Sequence, residues 1–271
     1  MENTDLKNVL EYCENEKIYF GEGTATARIL FIGKEAGWNE SMPKPDKIEN
    51  IKLQEKCSVE HNLNCWQNGN GCLEQLKKDA LKPKKKGGWP NSPTWRSYQF
   101  LIKEITGKKD ISKNSYDFLD HSFITELSQI PLPYSNFIKE KSKTEIGWDD
   151  NIRKESVQKR EELFHKNSFF QNFSIVIMAC GHYPTREFNK KMYEKYTFDI
   201  GKVFNSTFEK KITYKDDEKL LKGNWFDVYR GKTKNGKNKI LIHTRQVSMG
   251  ISTYALLKIA ELCKEIYKLE D

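Results

Sequence analysis

Residues 28–38 read Arg28-Ile29-Leu30-Phe31-Ile32-Gly33-Lys34-Glu35-Ala36-Gly37-Trp38. Four apolar side chains in unbroken succession predict a strand covered on both faces, because a half-exposed strand would alternate between apolar and polar residues. The run stops at Gly33, so a lysine and a carboxylate follow where the buried strand leaves the sheet. In open α/β sheets, ligands gather in the crevice outside the carboxyl ends of the strands. A second run, Lys239-Ile240-Leu241-Ile242-His243-Thr244-Arg245, ends in the same manner with an imidazole. Brought to one sheet edge, Glu35 and His243 make a candidate catalytic pair.

The rest of the chain supplies the layers around these strands. Leu6, Val9, Leu10 and Cys13 are spaced for a helix over 5–17. Ser92-Pro93-Thr94-Trp95 opens a second helix, with Tyr98, Leu101, Ile102 and Ile105 as its apolar stripe and Gly107 as its stop. Ser122–Leu127 and Phe173–Ala179 read as two further strands. Asp150–Lys166 is a strongly charged helix, and Ile251–Leu269 is an amphipathic one that closes the chain. Trp225–Arg230, the turn Lys234-Asn235-Gly236 and Lys239–His243 form a hairpin. Strands alternating with helices predict a three-layer α/β/α fold with a small, mainly parallel four-stranded central sheet. The 271 residues are read as a single domain, with a Cys- and Lys-rich insertion at 39–91 that lacks periodicity.

The formal net charge is +8, which favours polyanionic partners. Lys77–Lys86 holds six lysines against one aspartate and runs into Gly87-Gly88-Trp89-Pro90. Basic residues beside aromatics suit a phosphate-contacting loop, and a solvated insertion would look the same. No apolar stretch approaches the roughly 20 residues that span a bilayer. The polar, acidic start of the chain is not a secretory leader, so a cytoplasmic location with reduced cysteines is expected. Cys57, His61, Cys65 and Cys72 lie close enough in sequence to hold a tetrahedral zinc. Their spacing lacks the tight two-residue knuckle of common zinc modules, so no metal and no cofactor are assigned.

These pieces, in this order, resemble the uracil-DNA glycosylase superfamily. Its first motif, G-Q-D-P-Y in the main branch, follows the first strand. Gly33-Lys34-Glu35-Ala36-Gly37 stands in that place, with Glu35 on the acid and Ala36 where the proline would be. The second motif, H-P-S, follows the last strand and leads into a loop that wedges into the duplex. His243-Thr244-Arg245 keeps the histidine alone, followed by Gln246-Val247-Ser248-Met249-Gly250. The second strand of the family ends in a base-reading asparagine, and that position carries Glu126 here. Ile175–Gly181 resembles the third strand and its glycine. Residues 39–91 have no counterpart.

The resemblance implies a DNA glycosylase that flips a base out of the duplex and hydrolyses its N-glycosidic bond without a cofactor. Glu35 would stabilise the developing positive charge on the sugar and orient water, and His243 would donate to the departing base. Gly33, Lys34, Trp38, Trp95 and Glu126 would surround the base. Arg245 and Gln246 would meet the DNA backbone, with Val247 or Met249 filling the gap left by the flipped nucleotide. An ionised Glu126 only accepts hydrogen bonds, which points to an amino-bearing, cytosine-type or modified base, as in defence against phages with modified DNA. Structural roles stay open beside these: a cap or surface acid for Glu35, a packed histidine for His243, core packing for the tryptophans, a lysine-paired acid for Glu126. DNA is the expected partner, with no membrane and no obligate protein partner. A fold that retains nucleic-acid binding without catalysis is the alternative, and an enzyme acting on free nucleosides is a third.

Overall fold

The computed structural model describes residues 3–69, 73, 93–108, 117–133, 137–181, 198–248 and 250–269. In chain order its elements are α1 (Asn3–Glu16), β1 (Glu22–Gly23), β2 (Ile29–Gly37), α2 (Ile48–Gln67), α3 (Pro93–Thr106), α4 (Phe118–His121) and β3 (Ser122–Leu132). Then come α5 (Phe137–Glu140), α6 (Lys143–Ile146), α7 (Asp150–Lys166), α8 (Ser168–Gln171), β4 (Ile175–Met178), α9 (Ile200–Val203), β5 (Ser206–Thr213), β6 (Trp225–Lys232), β7 (Asn238–Thr244) and α10 (Thr253–Lys268).

The 28–38 stretch lies in the middle of the sheet. As β2 it pairs in parallel with β3 on one side and β4 on the other, and β4 pairs in parallel with β7. Ile29, Leu30, Phe31 and Ile32 have no exposed surface, as the unbroken apolar run requires. The sheet is larger than the four strands expected: it has seven, in the order β1-β3-β2-β4-β7-β6-β5, and it is mixed. The short β1 runs antiparallel to β3, and the β5–β6–β7 ribbon is antiparallel throughout. β5 has no counterpart in the sequence expectation, because its segment is aromatic and basic without a clear period, and its residues 207–211, Phe208 included, are exposed.

Successive side chains of β2 point to opposite faces, and each face is covered by its own helices. Ile29 and Phe31 join Tyr98, Leu101 and Ile102 of α3 and Ile259 and Cys263 of α10. Leu30 and Ile32 join Val9 of α1, Val59 and Leu63 of α2, and Leu163 and Phe164 of α7. Each fully buried aliphatic or aromatic side chain contributes on the order of 1.5–3 kcal/mol. Pro93 stands in the first turn of α3, and Gly107, with φ of 67°, ends that helix in the left-handed region. Ser252 caps α10 by accepting from the Ala255 amide.

The segment expected to be an aperiodic insertion is partly an integral element. Residues 48–67 form the 20-residue α2, and its Asn62 is clamped onto the chain before β1. The Asn62 carboxamide accepts from the Phe20 and Gly21 amides at 3.0 and 3.3 Å and donates to the Gly21 carbonyl at 2.8 Å. Trp66 Nε1 donates to the same carbonyl at 2.7 Å. Polar residues at buried positions, Gln54 and Asn62, interrupt the stripe that would have revealed the helix. The basic run Lys77–Lys86 lies outside the described residues.

Candidate functional site at the carboxyl ends of the central strands

β2 does not stop at Gly33. It continues through Gly33-Lys34-Glu35 to Gly37, with Gly33 opposite Glu126, Glu35 opposite Ser128, and a shift of register before Gly37 meets Leu132. Across that shift two steps along β2 match four along β3, so the bulge lies in β3. Glu35 is nearly buried and shared between two cations: Arg153 Nη2 on α7 lies 3.2 Å from its Oε2, and Lys34 Nζ lies 3.8 Å from its Oε1. Burial pulls the Lys34 amine below the ordinary lysine range, partly countered by Glu35, while the Arg153 charge adds to the depression.

Glu126 lies flat against Gly33. A Cβ at position 33 would sit 2.1 Å from Glu126 Oε2, so only glycine leaves room for the carboxyl group. Oε2 is buried and has no hydrogen-bond partner. Burial raises the Glu126 pKa to about 8, with the nearby charges of Glu35 and Glu22 pushing the same way. Glu22 itself is raised to about 7 by burial, against a hydrogen bond from Tyr19. A carboxyl group that keeps its proton at neutral pH donates as well as accepts. The expectation of an acceptor-only Glu126, and with it the argument for an amino-bearing base, loses its premise.

His243 is positioned differently from expectation. Its ring has no exposed surface. Nε2 lies 2.7 Å from the Gly181 carbonyl oxygen, Nδ1 lies 3.4 Å from Asp227 Oδ2, and the Trp225 ring packs edge-on at 5.0 Å. Strand alternation explains this: His243 shares the parity of Leu241, on the α1, α2 and α7 face, whereas Gly33 and Glu126 share the parity of Phe31 and Ile124, on the α3 and α10 face. β4 stands between β2 and β7, so their backbones are two strand spacings apart, about 9.5 Å. The paired role for Glu35 and His243 is therefore corrected: the imidazole is fixed between the end of β4 and β6, and Glu35 is not among its partners.

The remaining candidates divide in the same way. Trp38 is partly buried against Ile51, Ile130, Leu132 and Phe137, and Trp95 against the α3–α10 core, edge-on to Phe118 at 5.8 Å. Both are packing residues. Val247 belongs to the core, so it is no free wedge, while Arg245 donates to the Gly223 carbonyl at 3.1 Å and Gln246 is half-buried. Met249 lies outside the described residues. Val247, Ser248, Gly250 and Ile251 border a cleft of about 490 Å³ against Pro93, Arg96, Ser97 and Phe100. A second cleft, of about 330 Å³, lies between α2 and α7, lined by Lys17, Lys52, Lys56 and Lys159 with Glu55 and Gln129. Neither cleft is lined by Glu35 or His243.

The cysteine cluster is corrected too. Cys57, His61 and Cys65 recur at helical spacing on α2, with Cys65 Sγ 3.8 Å from His61 Nε2. Cys65, however, is disulfide-bonded, against the reduced state expected, and so has no thiolate to offer a metal. Cys72 lies outside the described residues. Among the described residues no group of three or more His, Cys, Asp or Glu is placed to hold a metal, and no helix is long and apolar enough to cross a membrane.

Arg153 and Arg160, which the sequence does not single out, are buried neighbours of the candidate site. They lie on the inward face of α7 with Ser156, Val157 and Phe164. Arg160 donates to the carbonyls of Glu126 and Tyr19 and to Thr125 Oγ1, fixing β3 beneath the site. Their spacing of three, four and seven is legible in the sequence, but in a strongly charged helix it does not mark an inward face. The class that fold and site define is a mixed-sheet α/β protein with a buried acid–lysine–arginine cluster at the carboxyl ends of its central strands. No protein-family model, no curated protein and no solved structure matches the chain.

Proposed function

We propose that this chain is a DNA N-glycosidase of the uracil-DNA glycosylase type, with its reacting centre at Glu35 rather than between Glu35 and His243. The reading is carried by one observation: a nearly buried carboxylate, gripped by Arg153 at 3.2 Å, beside a second carboxyl group whose Oε2 is buried and unpartnered. A fixed carboxylate is the group that stabilises an oxocarbenium-like sugar and directs water to it. Glu126, kept neutral, offers a donor and an acceptor to the edge of an extruded base. That suits a carbonyl beside a ring N–H as well as an exocyclic amine. Further support comes from three parallel pairings that bring the ends of β3, β2, β4 and β7 to one edge. The net charge of +8 favours DNA as the partner. His243 acts as a positioning residue, holding Gly181 and Asp227.

The test is mass spectrometry of bases released from natural and phage-derived DNAs. Glu35→Gln should lower release on the order of a hundredfold or more while DNA binding survives. The second reading, a nucleic-acid-binding protein without catalysis, is favoured by the enclosed His243. It prevails if the unaltered protein binds DNA and releases no base from any of these substrates.

A further inference from the structure

We propose that the cleft between α2 and α7 is a binding site for a terminal phosphate monoester on a sugar. Its four lysines come from three separate parts of the chain: Lys17 after α1, Lys52 and Lys56 on α2, and Lys159 on α7. On α2, Lys52, Glu55, Lys56 and Val59 recur at helical intervals, so one face of the helix borders the cleft. Four ammonium groups stand against two carboxylates, Glu55 and Glu60, which leaves the lining with two positive charges in surplus. That balance counts every charged residue of the lining, so it holds whichever lysine sits nearest Glu55. A phosphate monoester, with a second pKa of about 6, carries close to two negative charges at neutral pH and matches the surplus. A phosphodiester carries a single charge and leaves part of it unmet.

The floor of the cleft is fixed by Gln129 of β3, which is nearly buried. Its Nε2 donates to Glu55 Oε1 at 2.8 Å and to the Lys17 carbonyl at 3.3 Å. Its Oε1 accepts from the Tyr19 amide at 3.2 Å, and its own amide donates to Ser156 Oγ on α7 at 3.2 Å. One strand residue thus ties the turn after α1, α2 and α7 around the same space, so the walls are ordered before any ligand arrives. Lys17 has φ of 54°, a left-handed position at the end of α1 that glycine usually takes. Here it brings an ammonium to the rim. Burial raises the Glu55 pKa, opposed by the Gln129 hydrogen bond and by the charges of Lys159 and Lys52. The phosphate sits among the lysines, the Glu55 carboxylate accepts from a sugar hydroxyl, and Val59 is the apolar wall for the sugar carbons. At about 330 Å³ the space admits a sugar phosphate or the end of a strand, not a duplex. Neither Glu35 nor His243 lines it, so the site stands apart from the proposed base release.

The experiment is calorimetric titration of the full chain with two pairs of probes. One pair is deoxyguanosine 5′-monophosphate and deoxyguanosine; the other is a short single-stranded oligonucleotide with a 5′-phosphate or a 5′-hydroxyl. The phosphorylated member should bind about tenfold more tightly or better in at least one pair. A preference shown by the free nucleotide identifies a small-molecule ligand, one confined to the oligonucleotide a DNA end, and either upholds the phosphate monoester. Lys52→Gln combined with Lys159→Gln should abolish the preference. Lys215→Gln combined with Lys222→Gln removes the same charge from exposed positions outside the lining and should leave it intact. No preference for phosphate in either pair overturns the proposal, as does an equal loss in the two double variants. The preference is measured on the unaltered protein, so a folding defect in a variant cannot hide it.

Discussion

Gly33 is the residue on which the local geometry turns. Its missing side chain lets the Glu126 carboxyl lie against the β2 backbone, with a hypothetical Cβ only 2.1 Å from Oε2. Gly33→Ala should therefore displace that carboxyl at a cost of about 1–2 kcal/mol, read from urea unfolding. In a Glu126→Ala background the same Cβ meets empty space, so the penalty should largely vanish. A double-mutant cycle in which the two costs simply add would show that they do not touch. The identities of Gly33, Lys34, Glu35 and Glu126 were all legible before any fold was known. Their charge states were not. Whether Glu126 is ionised depends on burial and on the proximity of Glu35 and Glu22, and neither follows from spacing along the chain. The direction of the His243 ring was hidden for a related reason: strand alternation sets it, and it could be read only once Leu241 was known to face α1, α2 and α7.

Among the elements, α2 departs furthest from expectation. It is locked to the segment before β1 by Asn62 and Trp66, so removing the Asn62 carboxamide should leave the Phe20 amide buried and unpaired. Asn62→Ala should cost about 2 kcal/mol in chemical denaturation. A change below about 0.5 kcal/mol would mean that α2 is a loosely attached flap after all. The stripe of α3 and the Lys234-Asn235-Gly236 hairpin were readable because their apolar or turn residues fall at unambiguous intervals. α2 and the inward face of α7 were not, because Asn62, Arg153 and Arg160 occupy positions where sequence reasoning expects hydrocarbon. Such residues earn burial through specific hydrogen bonds, and partners brought together from distant parts of the chain leave no local signature.

For the whole molecule, the buried acids predict how stability varies with pH. Glu126 and Glu22 ionise near 8 and 7 in the folded chain against an ordinary 4.5. Between those values the folded state binds protons that the unfolded chain has already released. Stability should therefore decline as pH rises from about 5 to about 8, at up to roughly 1.4 kcal/mol per unit per group, and level off above. Glu126→Gln should flatten its part of that slope. Unfolding midpoints measured across this range would contradict the assignment if they rose with pH. A different consequence follows from β5, the outermost strand of the ribbon, where Phe208 is largely exposed next to Glu209, Lys210 and Lys211. A bare border of backbone amides and carbonyls invites a twin molecule to zip alongside. The charged run Glu209-Lys210-Lys211 along that border is the kind of device that makes strand addition costly, since two copies would have to match their charges and desolvate them to pair.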